Sequence, residues 1–95
     1  MGFFKDRRES RKRAKLAAID ELIRLLNGSE DSAHAVVPVA ELIELVATAR
    51  RKIDAGDCAG DQEIRDLFVP TGTLQDTAID NGWGDRFIEL AGRLC

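Results

Sequence analysis

Two carboxylates four residues apart, Asp76 and Asp80, come nearest in type and spacing to a chemical site in this sequence. On a helix, that separation places both side chains on one face. A pair of carboxylates can act as acid and base or hold a hard cation. A calcium loop instead needs oxygen ligands at alternate positions before a glycine, and this spacing is absent here. We therefore interpret the pair as structural or partner-contacting and predict no metal site.

Cysteine and histidine chemistry is limited to Cys58, Cys95 and His34. These three residues lack the close paired spacing of zinc ligands, and His34 lacks the companions that a catalytic histidine needs. The serines lie near predicted helix starts, where capping explains them. We predict free reduced thiols, no cofactor and no catalytic residue, and hence a protein that is not an enzyme.

The segment 70–85 concentrates polar residues between two turn signals. In the structural interpretation, Thr73 and Asp85 cap helices, Gly82 ends a helix and Trp83 enters the core. The alternative is a surface that contacts a partner protein. The predicted contact residues are Asp76, Asp80, Trp83 and Asp85, with Glu41 and Glu44 as a second patch.

Charge is divided unevenly along the chain. Residues 1–15 contain seven of the 14 basic residues and two of the 17 acidic ones, so a segment of charge +5 precedes a body of charge −8. Such a basic arm attracts phosphates, although the acidic body repels a polyanion and no aromatic residue is interleaved with the cations to stack on bases. Nucleic-acid binding through residues 5–15 is therefore the alternative function. Its predicted contacts are Arg7, Arg8, Arg11, Lys12 and Lys15.

Helical periodicity predicts a first helix over 7–26, ended by Asn27 and Gly28. Its apolar stripe consists of Leu16, Ile19, Leu22, Ile23 and Leu26. Towards the N-terminus, the helix face that carries this stripe is continued by basic residues: Lys15, Lys12, Arg8 and Lys5. Because four cations cannot enter a core without partners, we expect the first turns to overhang the fold or to fray. The sequence thus predicts a basic N-terminal arm at 1–14 and a single helical domain at 15–95.

The remaining segments also have helical periods. Pro38 suits the first turn of a second helix, which runs to about Asp54 before Gly56 and buries Val39, Leu42, Val46, Ala49 and Ile53. Short helices follow, with Asp61 predicted to cap one and Thr73 another, and the last begins at Gly84 or Asp85. The predicted fold class is all-α, a small helical bundle of two longer helices and two or three short C-terminal helices.

One pattern in the C-terminal half resembles a known group of proteins. After the short helix predicted at 61–68, the turn PTGTLQD at 70–76 is followed by NGWGDRF at 81–87. This resembles small bacterial proteins of unknown function with a Gly-Ser/Thr-Leu-x-Asp turn before a Trp-x-Asp helix start. Some of those resemble immunity or toxin-neighbourhood proteins, so the resemblance, over residues 61–92, implies binding to another protein.

No apolar run reaches the ~18 residues of a membrane span, and the charged start lacks the apolar middle of a signal peptide. We therefore expect a cytoplasmic chain. The predicted function is a non-catalytic helical domain that binds a protein partner of unknown identity. Self-association is a further possibility, because the predicted core is small.

Overall fold

The structure is a computed structural model that describes the backbone of residues 3–33, 35–68 and 72–94 and the side chains from residue 10 onwards. Within these ranges the chain forms five α-helices and no strand. The helices are α1 (Phe3–Asn27), α2 (Val39–Asp54), α3 (Ala59–Leu67), α4 (Thr73–Asp80) and α5 (Gly84–Leu94). The predicted all-α fold of two longer helices followed by shorter C-terminal ones is confirmed.

Helices α1 and α2 form an antiparallel pair. Arg50 Nε and Nη2 lie 2.6 and 3.2 Å from the Asp20 carboxylate, and Lys12 Nζ donates to the carbonyl of Asp54 at 2.6 Å. The five residues predicted for the buried stripe of α2 are all buried. They pack with Ala18, Ile19, Leu22 and Leu26 of α1, whereas Leu16 and Ile23 are only half-buried.

Two more helices complete the bundle. Helix α3 packs on α2 and runs back along it, because its start lies against Ala49 and Ile53. Helix α5 packs along α1 and also contacts α3, where the rings of Phe68 and Phe87 stack with centroids 4.9 Å apart. The short α4 contacts α5 and lies beside the connection between α1 and α2. It therefore closes one end of the bundle.

Helix α1 projects from the other end. Lys12 already lies beside Asp54, the last residue of α2, so the turns of α1 before Lys12 extend past the end of its partner helix. The molecule accordingly measures 51 Å along its longest axis and 22 Å along the other two. The helix begins four residues earlier than predicted, at Phe3. Lys, Arg and Glu are good helix formers, so the helix continues through the charged segment.

Three predicted helix caps are wrong. Asp85 lies inside the first turn of α5, which begins at Gly84, and so is not its cap. Cys58, not Asp61, occupies the N-cap of α3, without a side-chain cap bond. Asp57 accepts from the backbone N–H of Ala59 at 2.9 Å in the preceding turn, and Asp61 instead pairs with Lys15. Gly72 occupies the N-cap of α4, and Thr73 is the first helical residue. Helix α3 begins earlier than predicted because the chain turns immediately after Gly56, which follows α2. Gly56 ends α2 as predicted, in the left-handed conformation that favours glycine, with φ of 83°.

An ion pair between α1 and α5 makes stability depend on pH. A hydrogen bond from the Arg86 guanidinium, at 2.6 Å from Nη2 to Glu21 Oε1, holds the pKa of Glu21 below its ordinary value. A carboxylate with a lowered pKa in the folded state stabilises the fold above its unfolded pKa of about 4.3. That contribution is lost as the pH falls through the lower, folded pKa.

We therefore expect Glu21→Gln to flatten the dependence of stability on pH below about pH 5. The measurement is the midpoint of urea unfolding at a series of acidic pH values. Glu30→Gln is the matched control, since Glu30 is exposed in a connection and should leave the profile unchanged. Parallel profiles for Glu21→Gln and the unmodified chain would contradict the assignment.

Candidate functional site

Trp83 lies inside the molecule, at the junction between α4 and α5. Its side chain is 9% exposed, and its indole Nε1 donates to the hydroxyl of Ser29 at 2.9 Å. That hydroxyl in turn donates to the carbonyl of Leu25 at 2.7 Å, in the last turn of α1. Trp83 therefore fastens the start of α5 to the end of α1.

The residues before Trp83 hold the connection that follows α1. Asp80 accepts a hydrogen bond from the hydroxyl of Ser32. Asn81 pairs with the backbone of Glu30, accepting from its N–H at 2.8 Å and donating to its carbonyl at 2.9 Å. Asp31 accepts from the N–H of Val39 at 2.8 Å, at the start of α2. The sequence analysis did not predict these hydrogen bonds of Asn81 and Asp31, because the residues they join are separated along the chain.

The other two predicted contact residues of this region lie on α4 and α5. Asp76 is half-buried on α4, and Asp85 is exposed in the first turn of α5. Beside them, Ile79 and Ile88 are 58% and 69% exposed, and Ile79 lies against Gly84. The structure thus adds two exposed isoleucines, absent from the sequence-based site, to this surface.

A groove lies between α2 and α3 and contains the second predicted patch. Its volume is about 430 Å³, and it is lined by Glu41, Glu44, Leu45, Thr48, Glu63, Asp66 and Leu67. We call this the acidic groove. On each helix, the lining positions are spaced by three or four residues, which places them on one face. The groove joins Glu41 and Glu44 to two carboxylates of α3 that were not predicted as site residues.

The floor of the acidic groove is apolar and its rim is negative. Leu45 is 43% exposed, and Leu67 is half-buried. Glu41 and Glu44 are exposed, while Glu63 pairs with Lys52 and Asp66 accepts from Gln62 Nε2 at 2.9 Å. Four carboxylates around two accessible leucines form a surface that suits an apolar segment with positive charges. The sequence signal for this groove was the exposed i, i+3 pair Glu41 and Glu44.

The predicted phosphate contacts have different environments. Arg7 and Arg8 lie where the structure describes only the backbone, and Arg11 is exposed. Lys12 binds the carbonyl of Asp54, and Lys15 pairs with Asp61. Two of the five cations predicted to contact phosphates are therefore already bound by groups of the acidic body.

The remaining predictions concern the thiols, the histidine, metal ligands and membrane-spanning helices. Cys58 is an exposed free thiol, and the predictions for His34 and Cys95 lie outside the described residues. Among residues 3–33, 35–68 and 72–94, no cluster of three or more potential metal ligands occurs. Over the same ranges, no helix combines the length and apolar character needed to cross a membrane.

We compared the chain with protein families, curated proteins and solved structures. No protein-family model matches the chain, and no curated protein or solved structure is significantly similar to it.

Proposed function

We propose that this chain is a non-catalytic domain that binds a basic helical segment of a partner protein in the acidic groove. The observation that carries the proposal is the combination of four carboxylates with two accessible leucines in one cleft between α2 and α3. An immunity-like role, suggested by the sequence resemblance, is the finer form of the proposal. In that role the bound segment belongs to a toxin.

The leucines and the carboxylates of the groove contribute differently to binding. Burying Leu45 and Leu67 against apolar side chains of a partner supplies affinity at roughly 25 cal/mol per Å² of apolar surface. Exposed carboxylates such as Glu41 and Glu44 contribute mainly to the association rate and to the choice of partner. An amphipathic helix that lies in a groove anchors by residues spaced three or four apart, which is also the spacing of the groove's own lining residues.

The test uses a synthetic amphipathic peptide of about 15 leucine and lysine residues, with an isosteric acidic peptide as its counterpart. We expect saturable binding of the basic peptide, with amide NMR shifts concentrated on α2 and α3. Glu41→Lys/Glu44→Lys should weaken this binding by about tenfold or more, because attraction becomes repulsion at the rim.

The matched control is Glu30→Lys/Asp85→Lys, which makes the same change in net charge at two exposed positions outside the groove. It should change affinity by no more than about threefold, since screening limits long-range effects in physiological salt. Equal weakening by both variants would show that net charge, and not the groove, determines binding, and would contradict the proposal. So would shifts that cluster on α4 and α5.

A second candidate is an accessory nucleic-acid-binding role for the N-terminal arm. It is favoured by the backbone of α1, which extends beyond Asp54, the last residue of its partner helix. This candidate requires a gel shift at about 50 mM salt that is lost on changing Arg7, Arg8 and Arg11 to glutamate. It also requires an affinity that falls steeply with salt.

A further inference from the structure

We propose that the acidic groove is occupied by the basic start of α1 from a second copy of this chain, and that two copies exchange these segments reciprocally. The segment in question is residues 3–11, called here the basic segment. The inference rests on the proposed function, because it requires the groove to accept basic helices. It goes further by naming the occupant.

The basic segment is helical but extends past the helix against which α1 packs. Its backbone is part of α1, and it precedes Lys12, which lies at the last residue of α2. Nine helical residues span about 13 Å. The ends of helices fray, so a surface that covers these two and a half turns would stabilise them.

The groove matches the basic segment in length. Its lining on α2 runs from Glu41 to Thr48, which is two turns or about 10 Å of helix. Its lining on α3 runs from Glu63 to Leu67. A helix of two to three turns is therefore the length of partner that this groove can contact along its whole extent.

The two surfaces also match in chemistry. Phe3 and Phe4 are the only apolar residues in the range 3–11, and Arg7, Arg8 and Arg11 follow them at spacings of three and four. Helical spacing puts residues of this pattern on one face. The sequence of the segment thus combines two aromatic residues with three arginines at helical spacing, and the groove combines two leucines with four carboxylates.

The occupant cannot be the molecule's own segment. Glu41 and Glu44 lie in the first half of α2, whereas α1 leaves the body at Asp54, the other end of that helix. The distance along α2 from Glu41 to Asp54 is about 20 Å, and α1 is a continuous helix that points away from it. A second copy, placed antiparallel, brings each basic segment to the other groove and gives a closed dimer.

The test is the mass of the full-length chain in solution, which is 10.5 kDa for one copy. We expect sedimentation equilibrium in about 50 mM salt to give twice that mass. Two variants should each weaken the dimer by about tenfold or more. One is Arg7→Glu/Arg8→Glu in the basic segment, and the other is Glu41→Lys/Glu44→Lys in the groove.

The decisive measurement is made on a chain that carries both sets of substitutions. The charges are then exchanged but remain complementary, so the dimer should return, whereas two independent defects would add. An equimolar mixture of the two single-surface variants should also give a dimer. Circular dichroism confirms that each variant is folded, and Glu30→Lys/Asp85→Lys serves as the charge control.

The outcomes separate this inference from the proposed function. A monomeric wild-type chain at about 100 µM overturns the exchange, and so does a dimer that neither single-surface variant weakens or that the combined substitutions fail to restore. If the leucine–lysine peptide still binds the groove in those cases, the proposed function stands and only the occupant is wrong. If that peptide also fails to bind, both are overturned.

Discussion

Trp83→Ala is expected to lower the free energy of unfolding by about 3–5 kcal/mol, the usual cost of truncating a buried aromatic side chain. A domain of this size has a total stability of only about 5–15 kcal/mol, so the variant will be close to unfolding at ambient temperature. The cost has two sources, the cavity left by the ring and the loss of the bond from Nε1 to Ser29. Urea unfolding followed by circular dichroism measures it.

Two milder variants separate those sources. Trp83→Phe retains an aromatic ring but removes the donor, and Ser29→Ala removes the acceptor; each hydrogen-bond loss is worth about 1 kcal/mol. If the bond is the common cause, the double variant costs less than the sum of the single ones. Ile88→Ala, at a position 69% exposed, is the control and should cost no more than about 0.5 kcal/mol.

A loss below about 1 kcal/mol for Trp83→Ala would show that the junction between α4 and α5 does not depend on this side chain. Trp83 would then be available to a partner, as the sequence-based site suggested. A large loss accompanied by unchanged peptide affinity of the folded fraction would instead separate the fastening role of Trp83 from the binding role of the groove.

The helices that the sequence predicts best are those whose signals are local. Helix α2 carries one unbroken apolar stripe and ends before Gly56, and its predicted end at Asp54 and its five buried residues are confirmed. Pro38 is its N-cap and not, as predicted, part of its first turn. The predicted caps of α3 and α4 were wrong because Cys58 and Gly72 occupy those positions without a side-chain cap bond. The backbone path through the preceding turn selects the residue at each N-cap, and no local pattern reports that path.

Only two of the four carboxylates of the acidic groove could be predicted from the sequence, for a related reason. Glu41 and Glu44 stand out as adjacent acids on the exposed face of α2, but Glu63 and Asp66 look like the ordinary solvent face of another amphipathic helix. Their position in the groove comes from the packing of α3 on α2, which joins parts of the two helices that no local sequence pattern brings together. The same limitation applies to Asn81, whose side chain binds the backbone of Glu30 across the fold.

The two ends of the bundle differ in a way that bears on function. At the end closed by α4, polar side chains such as Asp80 and Asn81 are engaged with the preceding connection. At the opposite end, the backbone of α1 continues beyond Asp54, and Ser10 and Arg11 are exposed there. Neither Asp80 nor Asn81 is among the proposed contacts of the acidic groove or of the basic segment.

The closeness of α2 and α3 depends on Gly60, and Gly60→Ala is expected to lower the free energy of unfolding by about 1–3 kcal/mol, the usual cost of overpacking. A methyl group there would lie 2.6 Å from the carbonyl oxygen of Ala49 and 2.8 Å from Cγ1 of Ile53. Because one of these atoms belongs to the backbone, α3 must move away from α2. That movement widens the acidic groove, so affinity for the basic peptide should fall together with stability.

Gly92→Ala is the matched control, because Gly92 also lies in a helix but a methyl group there meets no atom within 4 Å. Alanine has a higher helix propensity than glycine by up to about 1 kcal/mol, so this variant should be slightly more stable and should bind the peptide unchanged. Opposite signs for the same substitution at the two positions would identify close packing of α2 on α3 as the cause. Equal, stabilising effects would show that α3 can move away freely, and that the groove's width is not fixed by this contact.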